Sequence, residues 1–450
     1  GDAEVGPDGR KQLPRSWRLG SRPNLRQMHH DARRDVPPEA VEARLLDEIE
    51  KQKSLREGAS AAGARVHILP QRPKDIEDDG DFHYAVLGPG AASESGKPSP
   101  EGKRFLDEGA SAASPRVHRN AVVLAVPSRE GLEIARNRIR DYLGWEEVRS
   151  RLKDNELDPI RVETMRAFID ASRKQIPDAI QHAYCIVMTV AESKEVQAFK
   201  ITVGDKPLFT LIKEDPRSRI QDTAVTAEAL LPGGPYDLWR EGETSRRLKD
   251  LVGAFAQFPH LPKMLNRRAI LDTLLVGCRE GRFVLRTTRP DRSVRTFWHA
   301  EPGEADLKDP GIEVVLPGAA VLAEIEPWLL SPETLWGLWN GPELTVRGVL
   351  DYFPGGHTVK VPREGYQETV AVPKAERQVV ETAIRGAVAG GGLWLVAGPA
   401  SLLGEEIPPG LLTDDAVLMA PPQAIAATDL LPENLPDAWS GGASSAGAIA

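Results

Sequence analysis

Cysteine is scarce in this sequence, and long apolar runs are missing. Cys185 and Cys278 are the only cysteines among 450 residues, and they form no CxxC pair. A structural zinc site needs about four closely spaced ligands, so the sequence indicates none and is typical of reduced cytosolic thiols. No apolar run approaches the ~20 residues that cross a bilayer, which predicts a cytoplasmic protein without membrane contact.

Phosphate-binding and catalytic motifs are missing as well. Neither GxxxxGK[ST] nor GxGxxG occurs, so we expect this chain alone to hydrolyse no ATP and to hold no cofactor. His29, His30 and Asp31 are adjacent, but neighbouring side chains on a helix point about 100° apart and do not converge on a metal ion. No pattern brings a Ser-His-Asp or Cys-His set together.

The length and net charge of the chain limit its domain organisation and the kinds of partner it can bind. A chain of 450 residues suggests roughly three domains. The net charge of -9 argues against binding a nucleic acid with the whole surface, although a local basic patch stays open. The first residues, GDAEVGPDGRKQLPRSW, contain neither an initiator Met nor the apolar core of a signal peptide. We therefore expect the chain to begin within a longer gene product or to have been trimmed.

The first segment, 1–150, predicts an α/β fold with a mostly parallel sheet. Three β-rich runs (65–69, 82–89 and 120–127) alternate with helical patterns near 100–108 and 129–144. Arg119 and Asn120 precede the third run. In P-loop ATPases, polar groups at a strand end sense the γ-phosphate, so this pair is a candidate nucleotide sensor. The alternative is a pair that caps the strand and forms local ion pairs.

The later segments predict further modules. Segment 151–240 has an α+β pattern with a helix at about 218–231. Segment 241–330 contains two helices and a β-hairpin, the outline of a winged helix, and segment 331–425 repeats that pattern loosely, as a second winged-helix-like or α+β module. Segment 426–450 lies in a stretch of fifty residues with seven acids and no Lys or Arg, and it reads as an acidic flexible tail.

The hairpin of the third segment is rich in arginine. Between Arg279 and His299 there are six arginines and two acids. Arginines on a wing contact DNA phosphates. The candidate DNA-binding residues are Arg282, Arg286, Arg289, Arg292 and Arg295. The alternatives are a solvated hairpin and a wing that contacts protein.

Four stretches together resemble a large, poorly characterised family of bacterial AAA-type P-loop ATPases from antiphage islands that also encode methylases and helicases. They are WRLGSRPNLRQMHHDARRDV (17–36), FHYAVLGPG (82–90), RVHRNAVVLAVPSREGLEIARNRIRDYLGWEEV (116–148) and HLPKMLNRRAILDTLLVGCREG (260–281). The shared features are an RPNL-like turn, Arg-Asn before an apolar strand, a helix that closes on Leu143-Gly144-Trp145, and a Leu-Pro-Lys turn. The resemblance covers about residues 15–300.

The resemblance implies an ATPase whose Walker motifs, ATP and Mg²⁺ belong to a part of the parent protein before Gly1. This chain would then be its C-terminal region, with regulatory modules that contact DNA or protein partners of a defence system. Two other hypotheses stay open. One is a non-catalytic scaffold whose winged helices bind protein, and the other is a stand-alone DNA-binding regulator.

Overall fold

A computed structural model describes residues 24–109, 114–152, 159–222, 225–289, 291–363 and 365–421. These residues form a mixed α/β protein with two compact units. Unit 1 comprises Gly1–Ala224 and Val252–Ile270, and unit 2 comprises Val225–Leu251 and Leu271–Ala450. The predicted tail 426–450 lies outside the described residues.

The described α-helices are α1 Leu25–Asp35, α2 Pro38–Lys51, α3 Pro100–Asp107, α4 Arg129–Arg151, α5 Pro159–Ala183, α6 Leu208–Glu214, α7 Leu248–Gln257, α8 Arg268–Arg279, α9 Glu304–Leu307, α10 Val346–Leu350 and α11 Arg377–Ala389. None of them is long and apolar enough to cross a membrane.

The described strands are β1 Arg65–Ile68, β2 His83–Val86, β3 Val122–Val126, β4 Ile186–Val190, β5 Val196–Lys200, β6 Ile220–Gln221, β7 Ser245–Arg247, β8 Lys263–Met264, β9 Val284–Thr288, β10 Val294–Phe297, β11 Glu313–Val315, β12 Val321–Leu322, β13 Glu343–Thr345, β14 Thr358–Arg363, β15 Tyr366–Ala371, β16 Lys374–Ala375, β17 Trp394–Ala397, β18 Ala400–Leu402 and β19 Val417–Met419.

Unit 1 is built around a five-stranded sheet of order β1-β2-β3-β4-β5. The first three strands are parallel, whereas β4 and β5 are antiparallel to their neighbours, so the sheet is mixed. Alternate side chains of β3 point to opposite faces. Val123 and Ala125 join the core with α2, α4, α5 and α6, while Leu124 packs with α3. Helix α4 begins directly after β3, where the Ser128 hydroxyl accepts a hydrogen bond from the backbone N–H of Gly131.

The same strand–helix–helix–three-strand topology occurs twice; all of its strands lie in unit 2, whereas α7 and α8 of the first copy belong partly to unit 1. The first copy runs β7-α7-α8-β9-β10-β11 and pairs its strands in the order β7-β11-β9-β10. The second copy runs β13-α10-α11-β17-β18-β19 and pairs them in the order β13-β19-β17-β18. All six pairings are antiparallel. The second copy carries an additional hairpin, β14–β15, between its two helices.

The two copies also begin in the same way. In the first, a one-turn 3₁₀ helix ends at Leu230, and the indole N–H of Trp239 donates to the Leu230 carbonyl at 2.8 Å. In the second, a 3₁₀ helix ends at Leu330, and Trp339 donates to the Leu330 carbonyl at 2.9 Å. The loose repetition in the sequence is therefore a duplication of topology.

Most predicted elements are present, one helix is wrong, and the sheet predicted to be mostly parallel has two parallel and two antiparallel pairings. The three N-terminal strands, the helices near 100–108 and 129–144, and the Arg-rich hairpin are confirmed as β1–β3, α3, α4 and β9–β10. The predicted helix at 218–231 does not form. Its described residues make the short strand β6 and a 3₁₀ turn, Glu228–Leu230. β6 pairs in parallel with β8, a tertiary contact that outweighs local helix propensity.

Candidate functional site

The predicted sensor pair lies where the chain enters β3. Asn120 is fully buried in a one-turn 3₁₀ helix, Arg119–Ala121. Its carboxamide N–H groups donate to the carbonyls of Phe255 at 2.8 Å and Leu261 at 3.0 Å. Its oxygen accepts from Lys263 Nζ at 2.7 Å. Both donors and the acceptor are thus engaged within unit 1, and Asn120 attaches the turn after α7 to the sheet.

Lys263, the partner of Asn120, is a buried amine. It is 1% exposed and also donates to the Val190 carbonyl at 3.0 Å. Both of these partners are neutral oxygens, so the charged form loses hydration without gaining a carboxylate. Burial, with a smaller contribution from nearby Arg219, lowers the pKa of Lys263 to about 7.

Arg119 contacts its own chain as well. Its guanidinium donates to the Asp107 carboxylate and, at 3.3 Å, to the Lys194 carbonyl. These contacts agree with the strand-capping alternative, and the sensor role of Arg119 and Asn120 stays a prediction.

Arg282 is the buried centre of a charge cluster. It is 4% exposed. Its guanidinium forms ion pairs with Glu228 at 2.5 Å, with Glu280 at 2.9 Å and with Glu368 at 2.6 Å. Since Glu368 lies on β15, Arg282 connects the first copy with the hairpin inserted into the second. It presents no free donor face to a DNA phosphate.

The other arginines of the hairpin divide into two groups. Arg286 pairs with Glu313, its Nε lying 3.1 Å from Oε2. Arg295 lies 3.2 Å from Asp306 and 3.4 Å from Glu324. Arg289 and Arg292 are exposed at the hairpin tip, and no ion pair within 4.0 Å joins either to another described residue. The structure therefore brings five predicted residues to one hairpin but leaves two cations available.

Net charge differs between the two units. Unit 1 contains 40 Lys and Arg and 37 Asp and Glu, a formal net charge of +3. Unit 2 contains 17 Lys and Arg and 29 Asp and Glu, a net charge of -12. The acidic charge of the chain thus resides in the unit that holds the duplicated topology and the arginine hairpin.

Sequence reasoning missed a cavity in unit 1 of about 880 Å³. It opens where β3 and β5 end and β4 begins, and its wall includes Ser128, Arg138, Asp178, His182 and Lys200. A second cavity of about 440 Å³ shares Arg138 and adds Arg26 and Arg33 of α1. The carboxyl edge of a parallel strand is where α/β proteins commonly bind ligands. The only sequence signal was the strand followed by the Ser128 cap, because the other residues meet only through tertiary packing.

Among the residues that the structure describes, no group of three or more His, Cys, Asp and Glu side chains is arranged to hold a metal ion. Compared with known proteins, the chain matches no family model, no curated protein and no solved structure.

Proposed function

We propose that this chain is a non-catalytic, protein-binding region of an AAA-type P-loop ATPase that acts on DNA in antiphage defence. In this proposal unit 1 adjoins the ATPase core, and the two copies in unit 2 are winged-helix-like modules that contact protein. ATP and Mg²⁺ would be bound by the Walker motifs of the ATPase.

The duplicated topology of unit 2 carries the proposal. Each copy has two successive helices followed by strands that fold back antiparallel onto the strand before the helices. That order corresponds to the helix–turn–helix and wing of winged-helix domains. The ATPase assignment is supported by the resemblance at the Arg-Asn strand, the following helix and the Leu-Pro-Lys turn.

Charge favours protein over DNA as the ligand of unit 2. The residues of unit 2 have a net charge of -12, which repels the phosphate backbone that supplies most of the affinity of non-specific DNA binding. Three of the five candidate arginines are held by carboxylates of their own unit. Protein partners, in contrast, are recognised by complementary charge of either sign.

The test uses the purified chain and, as a separate protein, a P-loop ATPase region of the family it resembles. We expect a stable complex in size-exclusion chromatography and a change in ATP turnover of about fivefold or more, the usual size of coupling between sites. An ATPase variant that lacks its Walker A lysine gives the background. Separate elution together with unchanged turnover would overturn the proposal.

The exposed hairpin tip favours a second candidate, a weak DNA contact by Arg289 and Arg292. If these cations touch phosphates, Arg289→Ala/Arg292→Ala weakens duplex binding and lowers its salt slope by about two. The control is Arg240→Ala/Arg247→Ala, which removes two exposed arginines elsewhere in unit 2 and should leave the salt slope unchanged. Equal salt slopes for the tip variant and the wild type would exclude the contact.

A further inference from the structure

The loop that opens the second copy in unit 2 carries two exposed indoles. Trp328 is 53% exposed and Trp336 is 54% exposed. Each indole would bury a large apolar area on binding, and Trp is enriched among the residues that dominate protein interfaces. The fold keeps both at the surface although neighbouring leucines of the loop, Leu330 and Leu335, are buried in the core.

Internal hydrogen bonds hold the backbone at both indoles: Trp336 lies inside the loop that one of these bonds closes, and Trp328 lies just before it, in the 3₁₀ helix Pro327–Leu330. The Trp339 indole donates to the Leu330 carbonyl and joins the loop ends. Trp328 lies two residues before one end, and Trp336 lies three residues before the other. The Tyr352 hydroxyl also donates to the Trp336 carbonyl at 2.8 Å. The backbone that carries both indoles is thus anchored before any partner binds, which limits the entropy lost on association.

The first copy serves as an internal comparison. Because Trp239 and Trp339 make the same bond, positions in the two loops correspond at a separation of 100 residues. Trp328 corresponds to Glu228, which pairs with Arg282. Trp336 corresponds to Tyr236, which is only partly exposed. The shared fold therefore does not require exposed indoles at these positions.

The charged side chains of the loop segment itself are of one sign. No Lys or Arg occurs between Lys308 and Arg347. Glu326 lies two residues before Trp328 and Glu333 lies three residues before Trp336, and both carboxylates are exposed. Neither forms an ion pair within 4.0 Å with another described residue. Indole faces attract Arg and Lys through cation–π contacts, and carboxylates add charge-assisted hydrogen bonds.

We propose that Trp328, Trp336, Glu326 and Glu333 form a docking surface for an arginine-rich segment of a partner protein. The surface rests on the proposed protein-binding function and specifies its chemistry. The indoles stack on guanidinium groups of that segment, and the two carboxylates pair with its charges.

The experiment measures binding of an octa-arginine peptide to the full chain by titration calorimetry at low and moderate salt. We expect Trp328→Ser/Trp336→Ser to weaken binding about tenfold, since each exposed cation–π contact contributes a factor of roughly two to five. Glu326→Gln/Glu333→Gln should weaken binding and reduce its salt dependence. Circular dichroism melting checks that all variants remain folded.

Two control variants distinguish peptide binding at this surface from general electrostatic attraction to an acidic protein. Tyr366→Ser removes an aromatic side chain that is 55% exposed on another hairpin. Glu405→Gln/Glu406→Gln removes two exposed acids elsewhere in unit 2. Both should bind the peptide like the wild type. The proposal is overturned if the controls lose as much affinity as the tryptophan variant, or if the wild type does not bind the peptide. It is also overturned if the tryptophan changes abolish self-association of the chain while peptide binding persists.

The two proposals fail in different ways. If the tryptophan variant still forms the complex with the ATPase region and binds octa-arginine normally, the docking surface is refuted while the protein-binding function stands. If the wild type binds octa-arginine through this loop but never engages the ATPase region, the ATPase assignment fails instead.

Discussion

Arg282 shows why a count of charges along the chain is a poor guide to ligand binding. In the sequence it is one of six arginines in a basic hairpin, whereas in the fold its partner Glu368 comes from 86 residues away. The excess positive charge of the hairpin is largely offset by carboxylates from other segments. Sequence reasoning identified the hairpin but had no access to these partners.

We expect Arg282→Ala to destabilise unit 2 by about 3 kcal/mol, because it leaves three carboxylates around an empty buried position. Chemical denaturation measures the change. Arg292→Ala, at the exposed tip, is the matched control and should stay within about 0.5 kcal/mol of the wild type. Equal effects of the two changes would mean that the cluster around Arg282 contributes nothing to stability.

Lys263 predicts a pH dependence of stability. Its pKa is about 7 in the folded chain, compared with the ordinary 10.5. Between these values the unfolded chain binds a proton that the folded chain does not, so the free energy of unfolding rises with pH. This group contributes a slope of up to about 1.4 kcal/mol per pH unit. Below pH 7 both states are protonated and the contribution is constant.

The measurement is urea denaturation of the wild type and Lys263→Met at several pH values from 7.5 to 9.5. Lys263→Met should lose this slope. The variant is expected to start from a lower stability, because the carbonyl and carboxamide oxygens that Lys263 contacts lose a donor, but that loss does not depend on pH. Parallel curves for the two proteins would show that the amine is not neutral in the folded state.

Helix α8 packs closely at Gly277 against Phe283, the residue that precedes β9. A Cβ at this position would lie 2.6 Å from the Phe283 ring and 3.0 Å from the Ala227 Cβ. We therefore expect Gly277→Ala to destabilise the chain by about 1–3 kcal/mol, the usual effect of overpacking, despite the better helix propensity of alanine. Thermal melting checks the sign.

Gly253 in α7 is the control, since an added Cβ there meets no atom within 4 Å among the described residues. Gly253→Ala should stabilise by about 1 kcal/mol through helix propensity alone. If both alanines stabilise, the contact between α8 and Phe283 is looser than the distances indicate.

Elements with strong local patterns could be read from the sequence, and those fixed by partners could not. β3 and α4 have a continuous apolar run, a cap and a periodic stripe, and both are found as expected. β6 has only two residues and exists because β8 pairs with it. The antiparallel β4 is buried along its whole length and has the same apolar pattern as a buried parallel strand, so periodicity alone did not reveal its direction.

At the scale of the molecule, the two units share continuous helices. Residues 248–251 of α7 belong to unit 2 and residues 252–257 to unit 1, and α8 is divided after Ile270. Unfolding one unit would leave short helical remnants, which are marginal in water. We therefore expect one cooperative thermal transition rather than two.

Differential scanning calorimetry of Asn120→Ala and Arg282→Ala checks this expectation. The first change removes a fully buried side chain of unit 1 and the second a buried side chain of unit 2. Each should shift the same single transition to lower temperature. Two resolved peaks, each sensitive to only one of the changes, would show that the units unfold independently.

The hydrogen bonds of Asn120 limit how the chain can be truncated to obtain unit 1 alone. All three of its side-chain partners come from the stretch Val252–Ile270, which the chain reaches only after passing through Val225–Leu251. A fragment that ends near residue 222 would contain Asn120 but none of these partners, and it would lose three hydrogen bonds that each contribute about 0.5–1.5 kcal/mol. Isolating unit 1 therefore requires rejoining two separated pieces of coding sequence through a new linker.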